Sequence, residues 1–486
     1  MVRMTICGAV LCLALVLTTS LAGAQPTMTS GLQSDTAFGL DSAGDPAANM
    51  ATAQALGARF VRVFVTWKEV APPSSQPCVV PPASVLDDPA AYNFSRAARQ
   101  VENAHSRGIA IYLAFNGPFP CYGSLEPSRC TTTPDNCTWR PNAQLYRKLV
   151  HAFAVRYGHL INRWSPYNEP NNPDFLAQTN AAGQRTAPVI YRSLWFNARN
   201  EIRATTSTGA PIFYGDVAGF QADWIRDALC FTPVSSNDPA YPSCTSSPTI
   251  VNAEAIAFHP YLNKKPDTPS IKNLNQINDA GATLEAAQTR NLITTPSYTT
   301  ITESGVHYGA CYTNANLGGQ RHCDPNDAGQ IGDQAASERR QAAWMNCVEE
   351  NAYKDRHVVG IAQYLLQDGP ARNPGDVWYT GLRREANPFQ VGTDKPAFGA
   401  WRMPFTVERL ADGRLEVWGA YRPRPAPASV TIVALAGGGV VTYQRTVPTG
   451  AQGYFRALLT DAPTGYSWQA RAGAFASRVA TGTDCS

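Results

Sequence analysis

Two glutamates stand at the ends of apolar runs that are far apart in the sequence. Glu169 lies in the segment YNEP at 167–170, and Glu303 lies in ITES at 301–304. Cleavage of a glycosidic bond needs one carboxylic acid to protonate the departing sugar oxygen and one carboxylate to attack or assist at the anomeric carbon. Both groups must project from a rigid support into one cleft, and the ends of barrel strands provide such a support. The pair therefore predicts glycosidase chemistry.

Strand-like apolar runs alternate with helical stretches from about residue 32 to residue 403. This alternation is typical of parallel strands covered by helices, and eight such units close into a (β/α)8 TIM barrel. One predicted helix ends at Gly158, and another begins near Pro188 with an apolar stripe from Ile190 to Ile202. The eight predicted strands are 37–41, 60–66, 109–115, 161–168, 212–216, 255–261, 299–303 and 358–366.

Long loops rich in Pro, Cys, Asn and Gly follow four of these strands, at 71–90, 116–142, 230–250 and 304–335. Such loops surround the carboxyl end of a barrel, where substrates bind. We therefore expect a long, walled cleft. This favours cleavage inside a polysaccharide or oligosaccharide over trimming of its ends, although the same loops could close a pocket.

A second domain is predicted after Pro404, where short alternating runs are separated by turn signals. We expect a catalytic domain over residues 25–403 and a small C-terminal antiparallel β-sandwich domain over 404–486. The sandwich has two interpretations, a packing partner of the barrel or a sugar-binding module. Its predicted strands are 414–420, 429–435, 440–447, 454–459 and 466–472.

The first 24 residues have the charged start, apolar centre and small-residue end of a secretory signal peptide. The mature chain is therefore expected to be secreted and to have no membrane partner. Of the 12 cysteines, Cys7 and Cys12 lie in this segment, and the even number that remains favours disulfides over a metal site. The net charge of +3 comes with no basic run, so nucleic acid is not the implied partner. Candidate pairs are 130–137, 230–244, 311–323 and 347–485.

At YNEP the chain resembles the retaining glycoside hydrolases of clan A, which place Asn-Glu-Pro at the end of strand four and a second glutamate at the end of strand seven. The segment YNEPNNPDF at 167–175 is most similar to glycoside hydrolase family 39 and its bacterial relatives, with the cellulase-like family 5 as the near competitor. The resemblance implies that Glu169 is the general acid and base, Glu303 the nucleophile, and Asn168 a partner of the sugar 2-hydroxyl. It implies no metal and no organic cofactor.

Clan members also support the nucleophile from neighbouring strands. The segment FHPY at 258–261 ends the sixth predicted strand, so Tyr261 and His259 are candidates to bind the nucleophile or the sugar, with simple packing as the alternative. Arg62 on strand two would hold Glu303 ionised, or would make an inward salt bridge without a role in catalysis. Because like charges about 5 Å apart resist simultaneous ionisation, we expect Glu169 to hold the proton.

Further candidates lie at or just past strand ends, where flat rings stack on sugars and amides bind hydroxyls, although single residues there are often structural. Clan members frequently carry a tryptophan on strand eight, which QYLLQ at 363–367 lacks. Trp378 or Tyr364 must therefore take its place. The other substrate-binding candidates are Trp67, Asn116 and Tyr308, and the alternative acids are Asp41, Asp216 and Asp368.

The sequence thus favours a secreted retaining glycoside hydrolase with a carbohydrate substrate. Two alternatives stay open. One is a catalytically silent carbohydrate-binding or cell-wall protein on the same scaffold, and the other is a transglycosylase that uses the same covalent intermediate. No repeat or coiled-coil pattern predicts an oligomeric state.

Overall fold

The structure is a computed structural model that describes most of the 486 residues. The predicted signal peptide, Asp41 and Tyr308 lie outside the described residues. The described ranges are 28–39, 44–131, 136–233, 238, 240–261, 271–307, 311–313, 321–323, 334–369, 378–384, 392–423, 425–450, 452–482 and 485.

Eight parallel strands form a nearly closed barrel, as predicted. Around the sheet the order is β4-β3-β2-β1-β10-β7-β6-β5, so each strand pairs with its neighbour in sequence within the barrel. Trp164 closes the ring: its N–H donates to Pro211 O at 2.9 Å, and its carbonyl accepts from Phe213 N at 2.8 Å. The strands are β1 Thr29–Gln33, β2 Phe60–Thr66, β3 Ala110–Asn116, β4 Arg163–Ser165, β5 Tyr214–Ala218, β6 Ala255–His259, β7 Tyr298–Ser304 and β10 Val358–Tyr364.

The first barrel strand is not the predicted one. It spans Thr29–Gln33, whereas residues 37–39 of the predicted strand lie in a short helix. This strand is buried although it is not a continuous apolar run, because its polar side chains have buried hydrogen-bond partners. Gln33 accepts from Arg62 at 2.9 Å, and Ser30 accepts from Arg422 at 2.7 Å. Gly31 packs so closely on the Phe60 ring that a Cβ there would lie 2.5 Å from it.

Helices cover the strands where the sequence pattern indicates them. Asn142 caps α6 by accepting from two backbone N–H groups of the first turn. The predicted stripe of α7 is buried from Ile190 to Ile202 against the barrel. The helices are α1 Asp35–Gly39, α2 Pro46–Leu56, α3 Trp67–Val70, α4 Ala83–Leu86, α5 Ser95–His105, α6 Ala143–Tyr157, α7 Ala187–Thr205, α8 Ala222–Ala228, α9 Ile271–Thr289, α10 Gln334–Lys354 and α11 Pro396–Arg402.

Two antiparallel sheets follow the barrel, as predicted. They share one apolar core, in which Val417 and Phe455 of one sheet pack with Ile432 and Trp468 of the other. The three-stranded sheet contains β11 Phe405–Arg409, β12 Leu415–Ala420 and β15 Tyr454–Leu459. The four-stranded sheet contains β13 Ser429–Leu435, β14 Val441–Pro448, β16 Ser467–Ala472 and β17 Phe475–Ala476.

The C-terminal sheets contact the barrel through buried polar groups. Arg422 pairs with Glu349 of α10 and also donates to Ser30 of β1. The Tyr454 hydroxyl donates to the same carboxylate at 2.7 Å, and a disulfide joins Cys347 to Cys485. These contacts favour the packing interpretation of the C-terminal region.

The described cysteines form four disulfides. Three are predicted pairs, 130–137, 230–244 and 347–485, and the fourth joins Cys78 to Cys121. Cys311 and Cys323 are paired in the backbone register of the hairpin formed by β8 Cys311–Thr313 and β9 Arg321–Cys323. Within the described ranges, no helix combines the length and the apolar character that a membrane span requires.

Candidate active site

The two glutamates meet at the carboxyl end of the barrel. Glu169 follows β4, Glu303 is the second-last residue of β7, and both line one cavity of about 440 Å³. One carboxylate oxygen of each glutamate and one ring nitrogen of His259 all lie within 4.8 Å of one another. The fold therefore places both carboxylates within reach of a single sugar carbon.

Arg62 lies beneath the pair and is fully buried. Its Nη1 donates to Glu303 and to Gln33, and its Nη2 donates to Asp216 and, at 2.7 Å, to Asn168. A guanidinium can make such forked contacts to two carboxylates at once. The inward salt bridge considered for Arg62 is therefore present, and it is made to both Glu303 and Asp216.

Asp216 is the second buried anchor, and it does not line the cavity. One carboxylate oxygen accepts from Ser165 at 2.7 Å and from Arg62, and the other accepts from Thr302 and from His259 at 3.1 Å. Burial alone would raise its pKa, but Arg62 and His259 hold the pKa well below its usual range. Its backbone carbonyl also accepts from the Glu169 N–H at 2.8 Å. Asp216 therefore holds His259 and the Glu169 backbone in place from a position off the cavity.

The backbone dihedral φ is positive at Glu169 and at Asp216. Glu169 has a φ of 44° and Asp216 a φ of 55°, both in the left-handed region that residues other than glycine seldom adopt. Such conformations concentrate at functional sites, where the surrounding contacts hold them in place.

His259, at the end of β6, lies between the carboxylates of Glu169 and Asp216. Nδ1 lies 2.8 Å from Glu169 Oε1, and Nε2 lies 3.1 Å from Asp216 Oδ1. Burial alone would lower the pKa of His259, but the charge of Glu303 and the hydrogen bonds to Asp216 and Glu169 raise it to about 10. Both ring nitrogens face carboxylates, which favours the doubly protonated imidazolium.

The expected proton on Glu169 is therefore wrong for the free protein. Burial would raise the pKa of Glu169, but hydrogen bonds from His259 and Asn172 and the charge of His259 lower it. The prediction considered only the repulsion between two glutamates and omitted the cations between and beneath them. The lowered pKa of Glu169 and the raised pKa of His259 favour a proton on His259, one hydrogen bond away from Glu169.

Aromatic side chains form one wall of the cavity. The Tyr261 hydroxyl donates to Glu303, and burial, reinforced by the negative charge of Glu303, raises the pKa of Tyr261 well above its usual value. Tyr261 is therefore a neutral donor. The ring centroid of Trp378 lies 5.2 Å from that of Tyr261 and 5.4 Å from that of Tyr364, and all three rings line the cavity.

Of the remaining candidate residues, some line the cavity and others do not. Asn116 lines the cavity, with its amide oxygen 3.4 Å from Asn168 Nδ2. Trp67 does not, because α3 turns its ring inward against Phe119 and Tyr146, where it is 2% exposed. Asp368 also lies off the cavity, paired with Lys395.

Sequence reasoning missed several polar groups that hold the site. Gln33, Ser165 and Thr302 contact Arg62 or Asp216 from inside strands, where an apolar side chain would normally point. A polar residue at an inward strand position is the signal that could have found them, since buried polar groups need partners.

The sequence matches no protein-family model and no curated protein. By structure, the chain is similar to a family 39 glycoside hydrolase from the gut symbiont Bacteroides cellulosilyticus WH2, at 13% identity over 90% of this chain and 79% of that one, with a TM-score of 0.48. It is also similar to the β-glycosidase of the hyperthermophile Thermosphaera aggregans, at 14% identity over 78% and 96%, with a TM-score of 0.50. At these identities the likeness to the second structure shows the barrel fold alone.

Proposed function

We propose that the protein is a retaining glycoside hydrolase that cleaves a polysaccharide or oligosaccharide by double displacement. The observation that supports this most is the pair Glu169 and Glu303, whose carboxylate oxygens lie within 4.8 Å of each other on one cavity. Retaining enzymes hold their two carboxyl groups about 5–5.5 Å apart, whereas inverting enzymes keep them farther apart to admit a water.

In the first step, Glu303 attacks the anomeric carbon and forms a glycosyl ester while the bond to the leaving oxygen breaks. Arg62 and Tyr261 aim the Glu303 carboxylate, since both donate to it. Glu169 protonates the leaving oxygen, and the proton reaches Glu169 from His259 Nδ1 across 2.8 Å.

In the second step, water attacks the glycosyl ester and releases Glu303. Ester formation has removed the negative charge of Glu303, so His259 has lost one of the groups that raise its pKa. Glu169 then accepts the proton of the attacking water and shares it again with His259. The proton inventory of the site is restored after one turnover.

Three finer features belong to the same proposal: secretion, endo-action and membership of family 39 or a related family of clan A. Endo-action is supported by a second depression, lined by Lys68 and Asn136, which shares Asn116 and Asp174 with the catalytic cavity. The shared lining residues would lengthen the cleft on the side of this depression. Secretion is supported by the four disulfides, which persist in oxidising compartments.

The test uses aryl glycosides with a good leaving group, starting with 4-nitrophenyl β-glycosides. We expect Glu169→Ala to lower kcat by about 10²–10⁴-fold, the range for loss of one acid–base group, and Glu303→Gln to lower it further. Azide should restore turnover only to Glu169→Ala, with a glycosyl azide of retained configuration as product. Glu102→Gln, an exposed change on α5, is the matched control.

Azide rescue of Glu303→Gln would instead reverse the two roles. Full activity in both variants would end the proposal. Binding of glycans without hydrolysis by the wild-type protein would favour the silent carbohydrate-binding alternative.

A further inference from the structure

A side-chain amide contacts the Glu169 carboxylate on the oxygen that His259 does not contact. Asn172 Nδ2 donates to Glu169 Oε2 at 3.0 Å, whereas His259 Nδ1 lies 2.8 Å from Oε1. Asn172 lines the catalytic cavity, and it was not among the residues predicted to form the site. The two oxygens of the proposed acid and base therefore have different neighbours.

The orientation of the Asn172 amide is fixed by its surroundings. Its Oδ1 accepts from the backbone N–H of Asp174 at 3.0 Å. A backbone N–H can only donate, so a flipped amide would turn its own N–H groups toward that donor and lose the hydrogen bond. Nδ2 is therefore the atom that faces Glu169.

The backbone of Asn172 is held in the same turn as Glu169. Its N–H donates to Glu169 O at 2.9 Å, and its carbonyl accepts from Phe175 N at 3.1 Å and from Leu176 N at 3.0 Å. Asn172 is thus joined to Glu169 through both its backbone and its side chain. A donor that is fixed before a substrate binds needs no reorganisation during the reaction.

The two neighbours of the Glu169 carboxylate differ in what they can transfer. In the proposed cycle, His259 passes its Nδ1 proton to Glu169 and takes it back. A side-chain amide donates a hydrogen bond but does not release its proton at ordinary pH. Asn172 therefore remains a donor to Oε2 throughout the cycle, whereas Oε1 lies beside the group that exchanges a proton.

Protonation makes the two oxygens of a carboxyl group unequal. One becomes a hydroxyl oxygen that carries the proton, and the other remains a carbonyl oxygen, which is the better acceptor of a hydrogen bond. An N–H fixed on Oε2 therefore favours the form of Glu169 in which Oε1 carries the proton. Burial would raise the pKa of Glu169, but the hydrogen bonds from His259 and Asn172 lower it.

We propose that Asn172 is a positioning residue for the acid and base, which holds Glu169 Oε2 as an acceptor and directs the transferable proton to Oε1. The inference rests on the proposed function and specifies the atom that protonates the leaving oxygen. The leaving oxygen must then approach Oε1, and the attacking water of the second step must give its proton to the same atom.

The experiment varies the need for acid catalysis while the sugar stays the same. It compares dinitrophenyl and phenyl β-glycosides of whichever sugar the wild type hydrolyses fastest, because dinitrophenolate leaves without a proton and phenolate leaves poorly without one. Asn172→Asp keeps the acceptor for Asp174 N–H and replaces only the Nδ2 donor. It should lower kcat/KM for the phenyl glycoside about 10-fold and for the dinitrophenyl glycoside by no more than about twofold.

Two further variants separate the causes. Asn172→Ala removes the donor without adding a charge, and it should show the same difference between the two leaving groups. Asn180→Asp is the matched control, because Asn180 Oδ1 also accepts a backbone N–H from two residues further on, at 3.0 Å, and lies off the cavity. It should leave kcat/KM for both glycosides unchanged.

Equal losses on both leaving groups in Asn172→Asp and Asn172→Ala would overturn the proposal, because a defect of folding or of sugar binding acts on both substrates alike. Wild-type kinetics on both glycosides would overturn it as well. A loss confined to Asn172→Asp would show repulsion by the new carboxylate and would also count against the proposal.

Failure of the proposed function would look different. If the wild type hydrolyses no glycoside, carbon-13 NMR of the Glu169 carboxyl group, assigned by its absence in Glu169→Gln, tests the contact alone. The carboxyl should titrate about one pH unit higher in Asn172→Ala than in the wild type, because the ionised form loses a donor. Equal titration midpoints in the two proteins would overturn the positioning role.

Discussion

Two clusters of buried charge among the described residues of the barrel differ in what they leave accessible. In the central cluster, Arg62 and Asp216 lie beneath Glu169 and Glu303, whose carboxylates border the cavity. In the second cluster, Lys395 Nζ lies 2.9 and 3.1 Å from the two carboxylate oxygens of Asp368, and both side chains are fully buried off the cavity.

The difference shows that buried charge alone does not mark a site of chemistry. Both clusters contain ions that burial penalises and partners that offset the penalty. The central cluster combines fully buried ions with two carboxylates that a ligand in the cavity can reach. The Asp368–Lys395 pair has no carboxylate that a ligand can reach. We therefore assign it a structural role, in which it joins the segment after β10 to the start of α11.

The largest contrast between the clusters is expected from Arg62→Met. This change leaves Glu303 and Asp216 buried without their shared cation. The free energy of unfolding should fall by about 3–5 kcal/mol, the cost of breaking a buried ion pair. The proposed turnover by the folded protein should fall by about 10²–10³-fold, as when one fixed electrostatic contact is removed from an active site.

Urea unfolding and kcat on an aryl glycoside measure the two effects separately. A variant that is destabilised but keeps its wild-type kcat would contradict the assignment of Arg62 to the nucleophile.

A smaller and purely structural effect is expected at the second cluster. Lys395→Met should lower stability by about 3–5 kcal/mol because Asp368 becomes an unpaired buried charge. It should leave kcat unchanged. Adding Asp368→Asn removes that charge and keeps the acceptor that Gly381 N–H uses at 2.8 Å, so the double variant should regain most of the stability. Loss of kcat in the folded double variant would show that the two clusters are coupled.

Much of the barrel could be predicted because its strands are continuous apolar runs. Strand β2 was predicted with its observed bounds, and Glu303 was placed within the last residues of β7. Strand β1 could not be found in that way, because Ser30 and Gln33 are buried by pairing with Arg422 and Arg62 from distant parts of the chain. Those partners are known only once the barrel closes.

The site shows the same limit. Strand-end position was enough to bring Glu169, Glu303 and Tyr261 to one cavity, because parallel strands present their carboxyl ends together. It failed for Trp67, whose short helix turns the ring into the core. Strand-end position also could not predict the pKa of Glu169, because that pKa depends on His259 and on the Asp216 carboxylate behind it.

The clusters should also differ in the pH range over which they affect stability. The pKa of His259 is raised to about 10 from an unfolded value of about 6.5. Its contribution is therefore fully present below pH 6.5 and is lost as the pH rises through about 10. Burial raises the pKa of Asp368 to about 6, so the folded state holds that proton more tightly and stability falls as the pH rises from about 4 to 6. Urea unfolding at stepped pH should show changes of about 5 kcal/mol for His259 and about 3 kcal/mol for Asp368, at about 1.36 kcal/mol per pKa unit.

Of these two pH-dependent changes in stability, only the loss at alkaline pH, which comes from His259, should be linked to catalysis. His259→Gln should abolish the loss of stability above neutral pH and move the basic limb of kcat/KM to lower pH, because the proton must then be held by Glu169 itself. Asp368→Asn should remove the acid-side change and leave the kcat/KM profile as it is in the wild type. A basic limb that stays near its wild-type pH in His259→Gln would mean that the catalytic proton does not come from the imidazolium.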